Sequence, residues 1–244
     1  MVDRPKRRIG DELKERGGGV GPSRREPGVT GARLQALYDA RDQFARTLGA
    51  TGDDLLGPFV NPTFGGGPRW PSLRQSWRPI RRRESTAIVS DGLSDPFDDD
   101  ESPNVGLGIE SVVEASGKVS SQLQRSWLFQ LVYDVSQQAA DSGEFLSRIN
   151  KLGLFSMELF LGDAFKALKS PSGTVGVLLA IEPDFTPLLA VGPDSIRYLT
   201  AKLLNPSELA FARAGGATAR AQLRDRFHSD GTAHRSSLRR KSVV

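Results

Sequence analysis

Gly173 to Glu182 (GTVGVLLAIE) constrains this chain more than any other stretch of its sequence. The run is apolar at successive positions instead of alternate ones, so a strand made from it turns hydrocarbon to both faces. Such a strand belongs inside a sheet, buried on both sides, and the flanking segments must supply the cover.

They carry the required signal. From Arg33, the residues Leu34, Leu37, Tyr38, Ala45 and Leu48 recur at helical spacing up to a natural stop at Gly49. A stronger helix is expected after Ser120 and Ser121, with Leu123, Trp127, Leu131 and Val135 at strict i+4 spacing and Leu128, Val132 and Ala139 widening the stripe. A short helix over Glu144 to Leu152 then leads to an extended Leu154 to Leu159. Asn205-Pro206-Ser207-Glu208 reads as a helix start. Asn205 is the N-cap, Pro206 sits where a missing N–H does no harm, Glu208 reaches back to the cap, and Leu204 with Leu209 forms a hydrophobic staple. That helix should stop at Gly215-Gly216 and a last one run from Thr218 to Phe227.

Further strands are expected at Thr86 to Ser90, Pro187 to Val191 and Ser195 to Leu204. Another is expected over Asn104 to Glu114, where Gly106 and Gly108 alternate with Val105, Leu107 and Ile109. Residues 51 to 83 read as a turn-heavy connection, with Trp70 and Trp77 tying it to the core. Strand and helix patterns interleave from end to end, which predicts one α/β domain over residues 31–227, a mixed β-sheet flanked by helices.

The ends differ. Residues 1 to 30 hold only Met1, Val2, Ile9, Leu13, Val20 and Val29 as larger apolar members, and the stretch from His228 to 244 is similar. Too little hydrocarbon is present to repay the entropy of ordering, so both are expected as flexible basic arms. Part of the net charge of +4 sits in these ends and in the run Arg78 to Arg83, opposite an acidic loop from Asp95 to Glu101. No aromatic residues interleave with the basic ones as a stacking surface for nucleic acid needs. There is no secretory signal, no apolar run approaching the ~18 residues of a membrane span, and no cysteine. A cytoplasmic location is expected.

Catalytic patterns are sparse. His228 and His234 are the only histidines and fall in the tail, where nothing is expected to orient them, which argues against a Ser/His/Asp centre. No HExxH or Walker pattern is present. Asp95, Asp98, Asp100 and Glu101 offer oxygen ligands for a divalent cation but lack calcium-loop spacing, and a solvated acidic loop is the plainer reading. Glu158 and Glu182 beside apolar runs read as satisfied strand carboxylates. No cofactor, metal ligand set or catalytic residue is assigned.

Read in order, the segments resemble the Suppressor of fused family. Ser90-Asp91-Gly92-Leu93-Ser94-Asp95 is similar to the family's GLSD element, and Val105-Gly106-Leu107-Gly108-Ile109-Glu110 to its GFGFEL strand. Ser126-Trp127-Leu128 with the helix to Ala140 resembles its TWP helix, and Thr174 to Phe227 follows its closing strands and helix. The resemblance implies an α/β/α sandwich and a binding role without catalysis. Animal members of the family restrain a zinc-finger transcription factor, partly through an extended peptide held between two domains, and bacterial members are proposed to neutralise polymorphic toxins. This chain corresponds to the N-terminal domain only, so the transcription-factor role is not transferred. Its Arg- and Gly-rich composition favours a bacterial setting.

The leading expectation is thus a bacterial interaction or immunity-type protein that binds and neutralises a partner protein, a toxin among the candidates. The expected contact surface is Asp91, Gly92, Leu93, Ser94 and Asp95 with Gly106 and Gly108, although the same residues also serve as plain turn formers. Two other classes stay open: a metal-dependent hydrolase using the acidic loop, and a nucleic-acid-binding regulator using the basic arms.

Overall fold

The computed structural model of the chain describes residues 29–244 except 53, 98–101, 118, 120 and 121. The arm expected over residues 1 to 30 therefore lies outside the described residues apart from Val29 and Thr30, which open α1 (Val29–Leu48). Gly49 closes that helix because nothing larger fits: a Cβ there would stand 2.6 Å from the Arg81 carbonyl oxygen.

Eight strands follow among the described residues: β1 (Ala50–Thr51), β2 (Trp77–Arg81), β3 (Ser85–Ser90), β4 (Ile109–Ser116), β5 (Phe155–Leu159), β6 (Val175–Leu179), β7 (Leu188–Val191) and β8 (Asp194–Leu203). They form one mixed sheet in the order β1-β2-β3-β4-β8-β6-β5, with β7 paired to the start of β8. The β4–β8 pair is parallel and the rest are antiparallel. As the GTVGVLLAIE run predicts, β6 lies inside the sheet and is buried at every position. Pro187 stands just before β7, where no ladder N–H is needed from it.

Alternate residues of the strands feed cores on opposite faces. Ile88, Val113, Val177 and Leu179 pack with α2 (Trp127–Ser142) and α3 (Phe145–Leu152), while Ala87, Val89 and Val112 pack beneath α1. Leu178 of β6 points to the face covered by α4 (Pro206–Ser229), against Leu209, Leu223 and Phe227. The result is an α/β/α sandwich. The Asn205 N–H donates to Glu208 at 2.8 Å, and Leu204 and Leu209 are both buried as the staple requires. At Gly216 the backbone turns to φ +57°, ψ −133°, so the expected helix break at Gly215-Gly216 is a kink between two helical pieces. No helix among the described residues is long and apolar enough to cross a membrane.

Three expectations are corrected. Of the strand expected over Asn104 to Glu114, the part from Val105 to Gly108 is a turn, and β4 begins only at Ile109. Gly106 and Gly108 take φ of +53° and +66°, and Leu107 N–H donates to the Leu93 carbonyl at 2.9 Å. Glycine alternation imitates strand periodicity, but here it marks two left-handed positions. Second, the turn-rich connection holds β2. Its Pro79 is accommodated because β1 pairs only with Ile80 and Arg81, leaving the outer edge at Pro79 without a ladder partner. Trp77, wholly buried, has its indole N–H bonded to Ser136 Oγ at 3.1 Å. The helix expected directly after Ser120 and Ser121 starts later: Leu123–Arg125 form a separate 3-10 turn, and α2 begins at Trp127 with the Ser126 hydroxyl accepting from Phe129 N–H.

The third correction concerns the tail. Of residues 228–244, expected to be a flexible arm, the first two close α4 and 230–244 are packed along the domain. His234 and Ser236 are each 1% exposed, and Ser236 bridges Ala115 of β4 in parallel. Polar groups at fixed positions in the domain hold this segment in place of the missing hydrocarbon.

Candidate functional site

The residues expected to form a contact surface converge, but mostly below the surface. Asp91, Leu93, Ser94 and Asp95 are all buried in the loop that follows β3. Asp91 and Asp95 enter a charged cluster with three arginines from two other parts of the chain. Arg41, on the buried face of α1 between Leu37 and Ala45, reaches Asp95 Oδ1 at 2.6 Å, Ser94 Oγ at 2.8 Å and Glu110 Oε1 at 3.2 Å. Its Nε stands 3.3 Å from Asp91. Arg74 bonds Asp91 at 2.8 Å and Asp95 at 3.1 Å, and Arg78 joins Asp91 at 3.1 Å to Asp42 at 3.0 Å.

Glu110, the second residue of β4, has no exposure and takes Gly92 N–H at 3.1 Å and Ser94 N–H at 3.0 Å. Ser90 and Ser94 hydroxyls donate to the same carboxyl group. Burial pushes the Glu110 carboxyl above its ordinary value, against the pull of Arg41. Burial acts in the same direction on Asp91, but Arg41, Arg74 and Arg78 outweigh it and hold that carboxyl below the usual range. Three cations thus face Asp91, Asp95 and Glu110, so the buried charges are paired and richly hydrogen-bonded, the condition under which such a cluster is tolerated. The Tyr38 ring covers it, with the Arg41 and Arg74 guanidinium carbons 5.1 and 4.5 Å from its centroid.

The cluster fixes the backbone above it. Gly92 passes so close to the 70–74 segment that a Cβ would meet the Arg74 carbonyl oxygen at 2.5 Å, and at Gly106 a Cβ would fall 2.2 Å from the Asp95 carbonyl oxygen. Gly108 backs onto Leu146 of α3. Outside these glycines an open groove of about 730 Å³ runs between the loop and the α2–α3 corner, with Phe97, Gly106 and Leu107 on one wall and Leu146, Asn150 and Lys151 on the other. Of the expected contact residues, only Gly106 lines this groove. The others are its support.

The acidic loop is divided. Asp95 is bound by Arg41, Arg74 and Ser72, so its oxygens are already taken. Asp98, Asp100 and Glu101 lie outside the described residues.

A second polar cluster surrounds Glu114 of β4. His234 stands 2.9 Å from its Oε2, Ser85 donates to its Oε1, and Arg82 bridges it at 2.9 Å to Asp184 at 2.7 Å. These donors overcome burial and draw the Glu114 carboxyl down to about 2. His234 is therefore oriented, contrary to expectation, by a carboxylate from 120 positions earlier in the sequence. Glu114, Asp184 and His234 bring ligand atoms within 4.8 Å of one another, but Arg82 supplies the positive charge between the two carboxylates. Ser85 donates to the carboxylate and not to the imidazole, so the constellation lacks the nucleophile–base contact of a hydrolase triad. The basic run Arg78 to Arg83 is correspondingly no simple solvated patch, since Arg78 and Arg82 are committed to ion pairs. Glu158 of β5 is held by Thr174 and Arg213.

Arg41, Arg74, Glu110 and Glu114 were not singled out by periodicity. One signal for Arg41 was available: a charge at i+4 from Leu37 and i−4 from Ala45 interrupts an apolar stripe, and such an interruption marks a buried ion.

No family model matches the chain, and no curated protein matches it in sequence. Solved structures do match its fold. One is described as the Sufu-Fu complex, with a TM-score of 0.52 and 16% identity over 86% of this chain and 91% of that one. Another is Drosophila Suppressor of Fused, with a TM-score of 0.53 and 15% identity over 86% of this chain. The match covers 51% of the Drosophila chain, so the present chain spans about half its length. The fold is Suppressor of fused-like.

Proposed function

We propose that this domain binds a protein partner without catalysing a reaction, and that it does so in the groove between α3 and the wall formed by Phe97, Gly106 and Leu107. The observation that carries the proposal is the pinned loop: Phe97 and Leu107 are presented beside Leu146 by a backbone held from below through Arg41, Asp95 and Glu110. The Gly106–Leu107 part of the wall, fixed by Leu107 N–H on the Leu93 carbonyl, loses little entropy when a partner docks, which favours binding. The apolar lining with Asn150 and Lys151 on one wall suits a partner segment with an apolar anchor and an acidic or carbonyl-bearing neighbour. One of the solved structures it resembles is itself described as a Sufu-Fu complex. The finer form of this reading is a bacterial immunity-type protein that neutralises a toxin.

The test is capture of partners from the source cells by the wild-type domain and by a Leu146→Glu/Phe97→Ser variant. A defined partner retained by the wild type and lost by the variant, with melting unchanged, supports the proposal. A partner retained equally by both moves the interface elsewhere. Co-expression with a toxin encoded beside the gene tests the finer form, and unaltered killing removes it.

A further inference from the structure

The pairing of β4 with β8 ends at Val112 and Thr200, yet β4 continues to Ser116 and β8 to Leu203. The two strands part, and the opening between them is filled by the segment after α4. Ser236 N–H donates to the Glu114 carbonyl at 2.7 Å and forms the parallel bridge to Ala115. Its hydroxyl turns to the other strand, accepting from Leu203 N–H at 3.0 Å and donating to the Ala201 carbonyl at 3.2 Å. One extended residue thereby closes a gap in the sheet.

Around this gap, groups of the domain are spent on the segment. The Lys202 ammonium is wholly buried and donates to the Arg235 carbonyl at 2.6 Å and to Thr232 Oγ1 at 3.2 Å. The Leu203 carbonyl accepts from Arg240 at 2.8 Å. Glu208, without exposure in the first turn of α4, pairs with Arg240 and accepts Val243 N–H at 2.9 Å. Around the cleft the carboxylates Glu114, Asp184 and Glu208 outnumber the cations Lys202 and Arg82 by one, and the segment is basic.

We propose that this opening is a peptide-binding cleft and that residues 230–244 occupy it as an intramolecular strap, in place of an extended basic segment of a partner protein. The strap records the chemistry the cleft reads. It takes a small hydroxyl residue at the bridging position, an arginine four residues later and an aliphatic residue three beyond that, as Ser236, Arg240 and Val243 are placed. Two features make the strap exchangeable. Only His234 and Ser236 of it are buried, with Leu238 and Val243 partly packed on the cores, so polar contacts carry most of its hold and it belongs to the more readily opened part of the fold. Its main-chain bond to a strand edge is the kind any extended chain can replace. This surface is distinct from the groove beside α3.

The test uses the full chain and a fluorescent peptide of residues 230–244. A Ser236→Ala/Arg240→Ala variant, whose own strap is loosened, should bind the peptide about tenfold or more tightly than the wild type, because the competing strap no longer fills the cleft. A peptide carrying the same two changes, or a scrambled one of equal charge, should not bind. Equal affinity of the variant and wild type, or equal binding of the scrambled peptide, would overturn the proposal. Should the variant fail to fold, hydrogen exchange on the wild type decides: the Ser236 amide must exchange faster than those of Val112 and Leu199, and protection equal to theirs refutes a strap that opens.

Discussion

Arg41 of α1 and Asp95 of the loop after β3 lie 54 positions apart and meet at 2.6 Å, with side chains 3% and 1% exposed. This bond ties the helix on one face of the sheet to the loop whose outer side lines the α3 groove. Asp91 and Glu110 depend on the same guanidinium.

Removal of Arg41 should therefore be severe. Arg41→Ala leaves three buried carboxyl groups short of a cation and is expected to destabilise the domain by about 3–5 kcal/mol, measured by urea unfolding. Arg41→Lys retains the charge but loses the fork, and should fall between that variant and the wild type. A loss under 1 kcal/mol for Arg41→Ala would contradict the pairing described.

Acid sensitivity should trace to Glu114. Its carboxyl is held near 2 in the folded state against an ordinary 4.5, so between these values the unfolded chain binds a proton that the folded one does not. Its contribution is fully present above about pH 4.5 and is lost as pH falls towards 2, up to ~3 kcal/mol. Glu114→Gln should flatten this part of the stability profile. Unfolding midpoints at stepped pH values measure it, and an unchanged slope in the variant refutes it.

Lys202 predicts a second slope at the alkaline side. Burial, with Arg240 nearby, lowers its amine to about 7, against 10.5 in the unfolded chain. In that window the unfolded state carries the extra proton, so stability should rise from pH 7 to 10, by ~4 kcal/mol at most. In Lys202→Met the rise should disappear. Guanidinium titrations at several pH values suffice to see it.

Gly106 and Gly143 separate crowding from conformational strain. Both have left-handed φ, +53° and +64°, but a Cβ at Gly106 would stand 2.2 Å from the Asp95 carbonyl oxygen, whereas none of the neighbouring atoms comes within 4 Å at Gly143. Gly143→Ala should lower stability by about 1–2 kcal/mol and Gly106→Ala by at least ~3 kcal/mol. Gly106→Ala should also weaken partner binding in the groove, since the loop must shift. Similar losses for the two variants would argue against a crowded turn.

Much of the architecture was legible because it is written in local spacing. The i+4 stripe of α2, the unbroken apolar run of β6 and the Asn205 to Glu208 cap each need only their own neighbours to be recognised. Gly106 and Gly108 were misread by the same rule, since alternation alone does not distinguish a strand from a turn with two left-handed glycines.

The candidate site was legible only as a place. The Asp91 to Asp95 element drew attention, but its burial and its arginines did not follow from spacing. Charged residues have no period of their own, and Arg41, Arg74 and Glu110 become partners only when α1, the 72–78 segment and β4 converge. His234 and Ser236 make the same point in a segment whose composition predicted disorder.

The sequence by itself determined most of the helices, the strands from β3 onward and the two-faced burial of β6, because hydrophobic burial is read from each segment's own pattern. Tertiary structure alone decided which charges are buried together, which loop they hold and where residues 230–244 lie. Those depend on Coulomb and hydrogen-bond partners that are distant in the chain and are compensated only once the fold has brought them within about 3 Å.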